Sequence, residues 1–227
     1  HNLEDIADAM EASQVKVLDQ VISGKPMSDL EAVLEMSVDG KLVYISSDSD
    51  YNYLGGALAV VDPASRHVEV YHHLIPDQNL PSLAFDPASK LLWGGTDRWG
   101  QMRSHPPTRD SSLVYAFAPV SRRVVEQIVV WQGSDETNVL GTSGNGVLVA
   151  ASGDEIALID TVDRTVLFKG KPPVALQRSG QSGKIRLSSD GKGYCLSGGV
   201  LYRWDFEENS LTPVATSPGC FYLTEVS

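Results

Sequence analysis

The sequence predicts an all-β fold, a β-propeller of four-stranded blades with a helical segment in front of it. Three observations carry this reading. Two kinds of tight turn alternate along the chain. The first kind recurs at blade-sized intervals. The stretches between turns are short and rich in Val, Ile, Leu, Tyr and Phe, as strands are.

The first kind of turn follows an apolar strand: Val38-Asp39-Gly40-Lys41, Asp86-Pro87-Ala88-Ser89-Lys90, Gly144-Asn145-Gly146 and Ser189-Asp190-Gly191-Lys192. Asp-Gly and Asn-Gly pairs supply the positive φ of a two-residue hairpin. The second kind closes the next hairpin: Asp62-Pro63-Ala64-Ser65-Arg66, Ala118-Pro119-Val120-Ser121-Arg122, Asp160-Thr161-Val162-Asp163-Arg164 and Asp205-Phe206-Glu207-Glu208-Asn209. Counted from Asp39, Asp86, Asn145 and Asp190, the first kind recurs after 47, 59 and 45 residues, so the second unit holds an insertion. A β-sandwich also uses short strands, but it does not explain a recurring pair of turns at this interval.

Four units follow. The first has strands over 32–37, 42–46, 57–61 and 68–71, and the second over 82–85, 91–94, 113–117 and 124–131. The third has strands over 138–142, 147–151, 156–159 and 165–169, and the fourth over 184–188, 193–197, 201–204 and 211–215. The blades therefore span about 29–74, 80–131, 137–170 and 184–217, and 219–227 begins another, with its strand over 220–226. Residues 1–28 break the pattern. Leu3, Ile6, Ala7 and Met10 fall at helical spacing, Asn2 is a candidate cap, and Gly24 and Pro26 stop the helix. This is a helical segment or insertion packed on the rim.

Composition narrows the function classes. A formal charge of −11 on 227 residues argues against nucleic acid, whose phosphates require a basic face. No apolar run approaches the roughly 18–20 residues that span a bilayer. The two cysteines, Cys195 and Cys220, make no disulfide framework; they read as two buried thiols or, being in neighbouring units, as one pair. The chain begins at His1 with no signal-peptide pattern, as a processed or trimmed chain would. No phosphate-cradling glycine loop, zinc spacing or nucleophile elbow occurs, and no cofactor is called for.

The units resemble the bacterial YVTN and WD40-like propeller repeats: apolar strand, Asp-Gly-Lys turn, strand ending in small residues, then an apolar strand running into Asp-Pro. "LAFDPASKLLWGGT" (83–96) and "GGALAVVDPASRHVEVY" (55–71) carry the resemblance best, and it extends from Asp29 to the end. Such propellers have roughly six to eight blades, so the resemblance implies that further blades lie outside this chain. It also implies a secreted or periplasmic setting. It specifies fold more than function.

In a propeller, the loops between strands two and three share a face with the loops between blades. Here those loops are the long ones: 47–56, 72–81, 96–112, 132–137 and 170–183. The opposite face carries only the tight turns. Long loops in a compact domain are commonly functional. The catalytic candidates on this face are Tyr51, His72, His73 and His105. The ligand-binding candidates are Tyr53, Asp77, Gln78, Arg98, Trp99, Arg103, Arg109 and Arg178, with Asp97 and Asp135 beside them. Arginine forks suit carboxylates and aromatic faces suit sugar rings. Two functions fit: a propeller that binds a protein or carbohydrate partner, and a polysaccharide lyase, in which a Tyr or His removes the proton α to an arginine-bound uronate. The lyase requires its arginines free to neutralise that carboxylate. Asp48-x-Asp50-x-Asn52 faintly resembles a calcium loop but lacks the glycine and glutamate that complete one. Gly94-Gly95 and Ser197-Gly198-Gly199 end strands where a neighbouring blade or loop comes close.

Overall fold

The computed structural model describes residues 33–36, 41–49, 52–172, 186–187, 192–197, 199–205, 208 and 210–216. The predicted N-terminal helix, Cys220 and the strand over 220–226 lie outside them. The described residues form four antiparallel four-stranded sheets, each a simple meander. The first sheet contains β1 (Val33–Met36), β2 (Val43–Ser46), β3 (Ala57–Asp62) and β4 (His67–His72). The second contains β5 (Asn79–Asp86), β6 (Leu91–Asp97), β7 (Val114–Ala118) and β8 (Arg123–Ile128). The third contains β9 (Asn138–Thr142), β10 (Val147–Ser152), β11 (Glu155–Asp160) and β12 (Thr165–Gly170). The fourth contains β13 (Arg186–Leu187), β14 (Gly193–Ser197), β15 (Val200–Asp205) and β16 (Ser210–Thr216). The first strands are neighbours in space, β1 by β5, β5 by β9 and β9 by β13.

The core lies between sheets, and strand periodicity builds it. Successive side chains on a strand point to opposite faces. On β7, Tyr115 and Phe117 pack with Tyr44, Leu58 and Val60 of the first sheet. Their alternates Val114 and Ala116 pack with Leu148, Ala150, Ala157 and Ile159 of the third. On β11, Ile156 and Leu158 turn the other way, to Cys195 and Trp204 of the fourth. A middle strand therefore reads as an unbroken apolar run because both of its faces are buried. Cys195 is a free, buried thiol, and burial pushes its pKa up to about 11.

The tight turns differ from expectation in one respect. In the Asp-Pro turns and their relatives the positive φ falls on the closing basic residue: Arg66 (57°), Lys90 (56°), Arg122 (54°) and Arg164 (59°). Three of these turns are braced by a leading aspartate, while the one that starts at Ala118 closes through its backbone, the Arg122 amide donating to the Ala118 carbonyl. Asp62 accepts the Ala64 and Ser65 amides, Asp86 the Ser89 amide, and Asp160 those of Val162 and Asp163. An aspartate that bonds the backbone two or three residues on fixes the turn without glycine. In the third unit Gly144 and Gly146 take the positive φ. The Asp39-Gly40 and Asp190-Gly191 turns lie outside the described residues.

Among the described residues three strand limits moved by three residues, and others by one. β5 begins at Asn79, not Ser82, and absorbs Pro81 at a break in its register with β6. β6 continues through Thr96 and Asp97, because Thr137 N–H donates to the Thr96 carbonyl and Asp97 bridges Glu136. β8 stops at Ile128, while Val130 and Trp131 stay buried in the loop beyond it. There the Trp131 indole N–H donates to Glu155 at 2.7 Å.

Candidate functional site

Four of the long loops meet in one hydrogen-bonded layer at the end of the sheets opposite the tight turns. The Ser49 amide donates to Asn79, and the Asn79 amide group donates to the Trp99 carbonyl. The Asn52 amide donates to Ser104. Gln78 is buried and donates to the Ser111 carbonyl, and Thr108 donates to Asp77. The Ser112 hydroxyl lies 2.7 Å from that of Ser134 and 2.8 Å from that of Thr137. These bonds join segments 47–56, 73–78, 98–113 and 129–137, which belong to three successive sheets. Loop 170–183, with Arg178, extends beyond the described residues, as do Tyr51 and Asp50.

The centre of the layer is Asp135. The Arg98 Nε and Nη2 donate to its Oδ1 at 2.9 and 2.6 Å, and Arg103 Nη2 donates to its Oδ2 at 2.9 Å. Arg98 Nη1 also donates to the carbonyls of Arg109 and Asp110, both at 3.1 Å. The Trp99 indole N–H faces Asp135 without closing a hydrogen bond. Trp99, then Arg98 and Arg103, hold this carboxyl down at a pKa of about 2. The Arg103 guanidinium also lies 4.8 Å from the centre of the Trp99 ring, a cation–π distance.

This clamp shapes the tip of the loop. Residues 100–105 close on themselves, the Gly100 amide donating to the His105 carbonyl and the Arg103 amide to that of Gly100. Met102 and Arg103 both adopt left-handed backbone, with φ of 52° and 58°. Such conformations are uncommon for non-glycine residues, cost of order 1–3 kcal/mol each, and persist only where the surroundings impose them. Met102, at this tip, is 88% exposed, and Tyr53 on the neighbouring loop is half-exposed.

Asp97 has a different environment. It ends β6 at the root of the same loop, and its Oδ1 accepts the Trp99 amide at 2.9 Å. Burial first, then the charges of Glu136 and Asp48, raise its pKa to about 6, against the lowering effects of the Trp99 amide and Arg103. Asp48 occupies in the first unit the place of Asp97 in the second, as "KLVYISSD" (41–48) and "KLLWGGTD" (90–97) show.

The other candidates spread out. His72 and His73 are both exposed. β4 ends at His72, and His73 turns to a φ of 50°, with its ring over Gly55. His105 and Arg109 are exposed on the 104–110 stretch. Of the calcium-like stretch, Asn52 has left-handed backbone and its main-chain amide donates to the Ser104 hydroxyl. Among the described residues no group of three or more His, Cys, Asp and Glu side chains is placed to hold a metal ion. The sequence does not single out Met102, an apolar residue in a loop whose titratable residues carry the clearer chemical signal. Nor does it single out the hydroxyl chain of Ser112, Ser134 and Thr137, which short polar residues at two loop ends could have signalled.

No family model matches the chain, and no curated protein does. Solved structures do. The β-propeller domain of Myceliophteria thermophila Cps50 (Swd1) aligns over 82% of this chain at 12% identity with a TM-score of 0.52. An auxiliary nutrient binding protein from Bacteroides thetaiotaomicron aligns over 80% at 10% identity with a TM-score of 0.50. The Neurospora crassa Pan2 WD40 domain aligns over 81% at 10% identity with a TM-score of 0.48. The chain covers 58%, 46% and 52% of those three chains, about half of their length. At these identities the likeness concerns the fold: antiparallel four-stranded sheets as in a β-propeller domain. No helix among the described residues is long and apolar enough to cross a membrane.

Proposed function

We propose that this chain is a binding module that engages a partner through its loop face, with Met102 as the apolar anchor and Tyr53, Trp99 and Arg103 around it. One observation carries the reading: a left-handed, clamp-supported loop tip holds a methionine out in solvent. Met, Arg and aromatic residues are enriched at interface centres, and rigid, preorganised loops lose less entropy on binding. Strain held at one place is a reason to look for function there. Among the described residues the opposite face offers short turns. The finer kinship to bacterial YVTN repeats rests on the two motifs at 55–71 and 83–96.

The lyase alternative has less support. Its arginines would have to meet a substrate carboxylate, yet Arg98 and Arg103 already share Asp135. Among the described residues no hydrogen bond or ion pair joins His72, His73 or His105 to either arginine. Parallel peptide and glycan arrays probed with wild type, Met102→Asp and Val120→Asp test the binding reading. Val120, 97% exposed on a tight turn, is the control. The reading expects ligands that Met102→Asp loses and Val120→Asp keeps. Ligands lost equally with both variants, or with neither, count against it.

A further inference from the structure

We propose that Asp97 is a proton-operated latch for the loop that carries Met102: ionised, it is repelled by Asp48 and Glu136 and the loop root loosens; protonated, the root closes. The geometry places it for this. Asp97 is the last residue of β6, so everything from Arg98 to Leu113 hangs from it. It is held on three sides. Asn79 pairs with it across β5–β6, Glu136 bridges it from the strand-like entry to the third sheet, and the Trp99 amide donates to it from the loop. The charges acting on it are Glu136 and Asp48, both repulsive, and Arg103, attractive. Arg103 is held away in part by its ion pair with Asp135 at 2.9 Å. Two like charges and partial burial thus outweigh one shared cation, and a proton is the simplest relief.

The sign follows from linkage. A carboxyl raised to about 6 in the closed state, against an ordinary 3.8, binds its proton more tightly when closed. Closure is therefore favoured as pH falls through 6 and loses that support above it. Asp135, held near 2, stays ionised throughout this range, so the clamp itself does not titrate. If the loop face binds as proposed above, a partner anchored on Met102 binds more tightly near pH 5 than at pH 7. The latch itself is measurable with no partner present, so the two ideas fail separately.

The test is hydrogen exchange of residues 98–105, corrected for intrinsic rate, at pH 5 and pH 7. For full relief of Asp97 on opening, the two values give about tenfold stronger protection at pH 5; with solvent screening, roughly threefold to tenfold is expected. Asp97→Asn, an uncharged isostere that keeps the acceptor for the Trp99 amide, should show high protection at both pH values. Asp48→Asn and Glu136→Gln should each shrink the pH effect, and they decide the matter if Asp97→Asn does not fold. Equal protection at pH 5 and pH 7 in wild type overturns the latch. So does an undiminished pH effect in all three variants.

Discussion

The Arg98 guanidinium grips Asp135 across the junction of the second and third sheets, with two nitrogens on one carboxylate oxygen at 2.9 and 2.6 Å. Arg103 takes the other oxygen, and the same Arg98 reaches back to the carbonyls of Arg109 and Asp110. One carboxylate therefore ties the loop tip, the loop's return and the next inter-sheet connection together. Asp135→Asn should cost about 1 kcal/mol at pH 7, a modest figure because the pair is partly exposed. With the carboxyl depressed from 3.8 to about 2, its contribution is intact above pH 4 and lost as pH falls through 2. Urea midpoints of wild type and variant, measured from pH 7 downward, should stay apart to pH 4 and converge below it.

A second tie crosses the same junction at the opposite end. The Thr161 hydroxyl donates to Asp86 Oδ2 at 2.6 Å, and both residues are fully buried. Ser89 also donates to that oxygen, through both its amide and its hydroxyl. Thr161→Val keeps the shape and removes one donor from a buried carboxyl, which costs about 1–3 kcal/mol. Thr161→Ser should recover most of that loss in a thermal or urea melt.

Glycine matters where backbone comes close. A Cβ on Gly95 would lie 2.0 Å from the Thr137 carbonyl oxygen, an atom of the next loop's backbone. Gly95→Ala should therefore destabilise by about 3 kcal/mol or more, since backbone yields less readily than a side chain. Gly133 has open space around its Cβ position but a φ of 75°. Gly133→Ala should cost only the left-handed strain, about 1 kcal/mol. Denaturation of the two variants side by side checks the contrast.

The strands were legible because their signals are local. Asn138–Thr142 and Gly193–Ser197 follow from apolar runs between turn residues, and the alternation that feeds two cores is written into β7 and β11. Pro81 hid the true start of β5, since a proline argues against a strand and only the register break accommodates it. The convergence of the long loops followed from topology. Their chemistry did not. Which arginine meets Asp135, and which acids crowd Asp97, depends on residues brought together from three sheets. The exposure of Met102 depends on two left-handed residues that no local pattern demands.

A photo-activatable diazirine residue at position 102 tests the binding face most directly, compared with the same residue at position 120. In extract from the source cells, the account predicts a discrete cross-linked partner at 102, absent at 120, and weakened when Asp135→Asn loosens the loop. Equal products at both positions, or a product at 102 that is indifferent to Asp135, would contradict it.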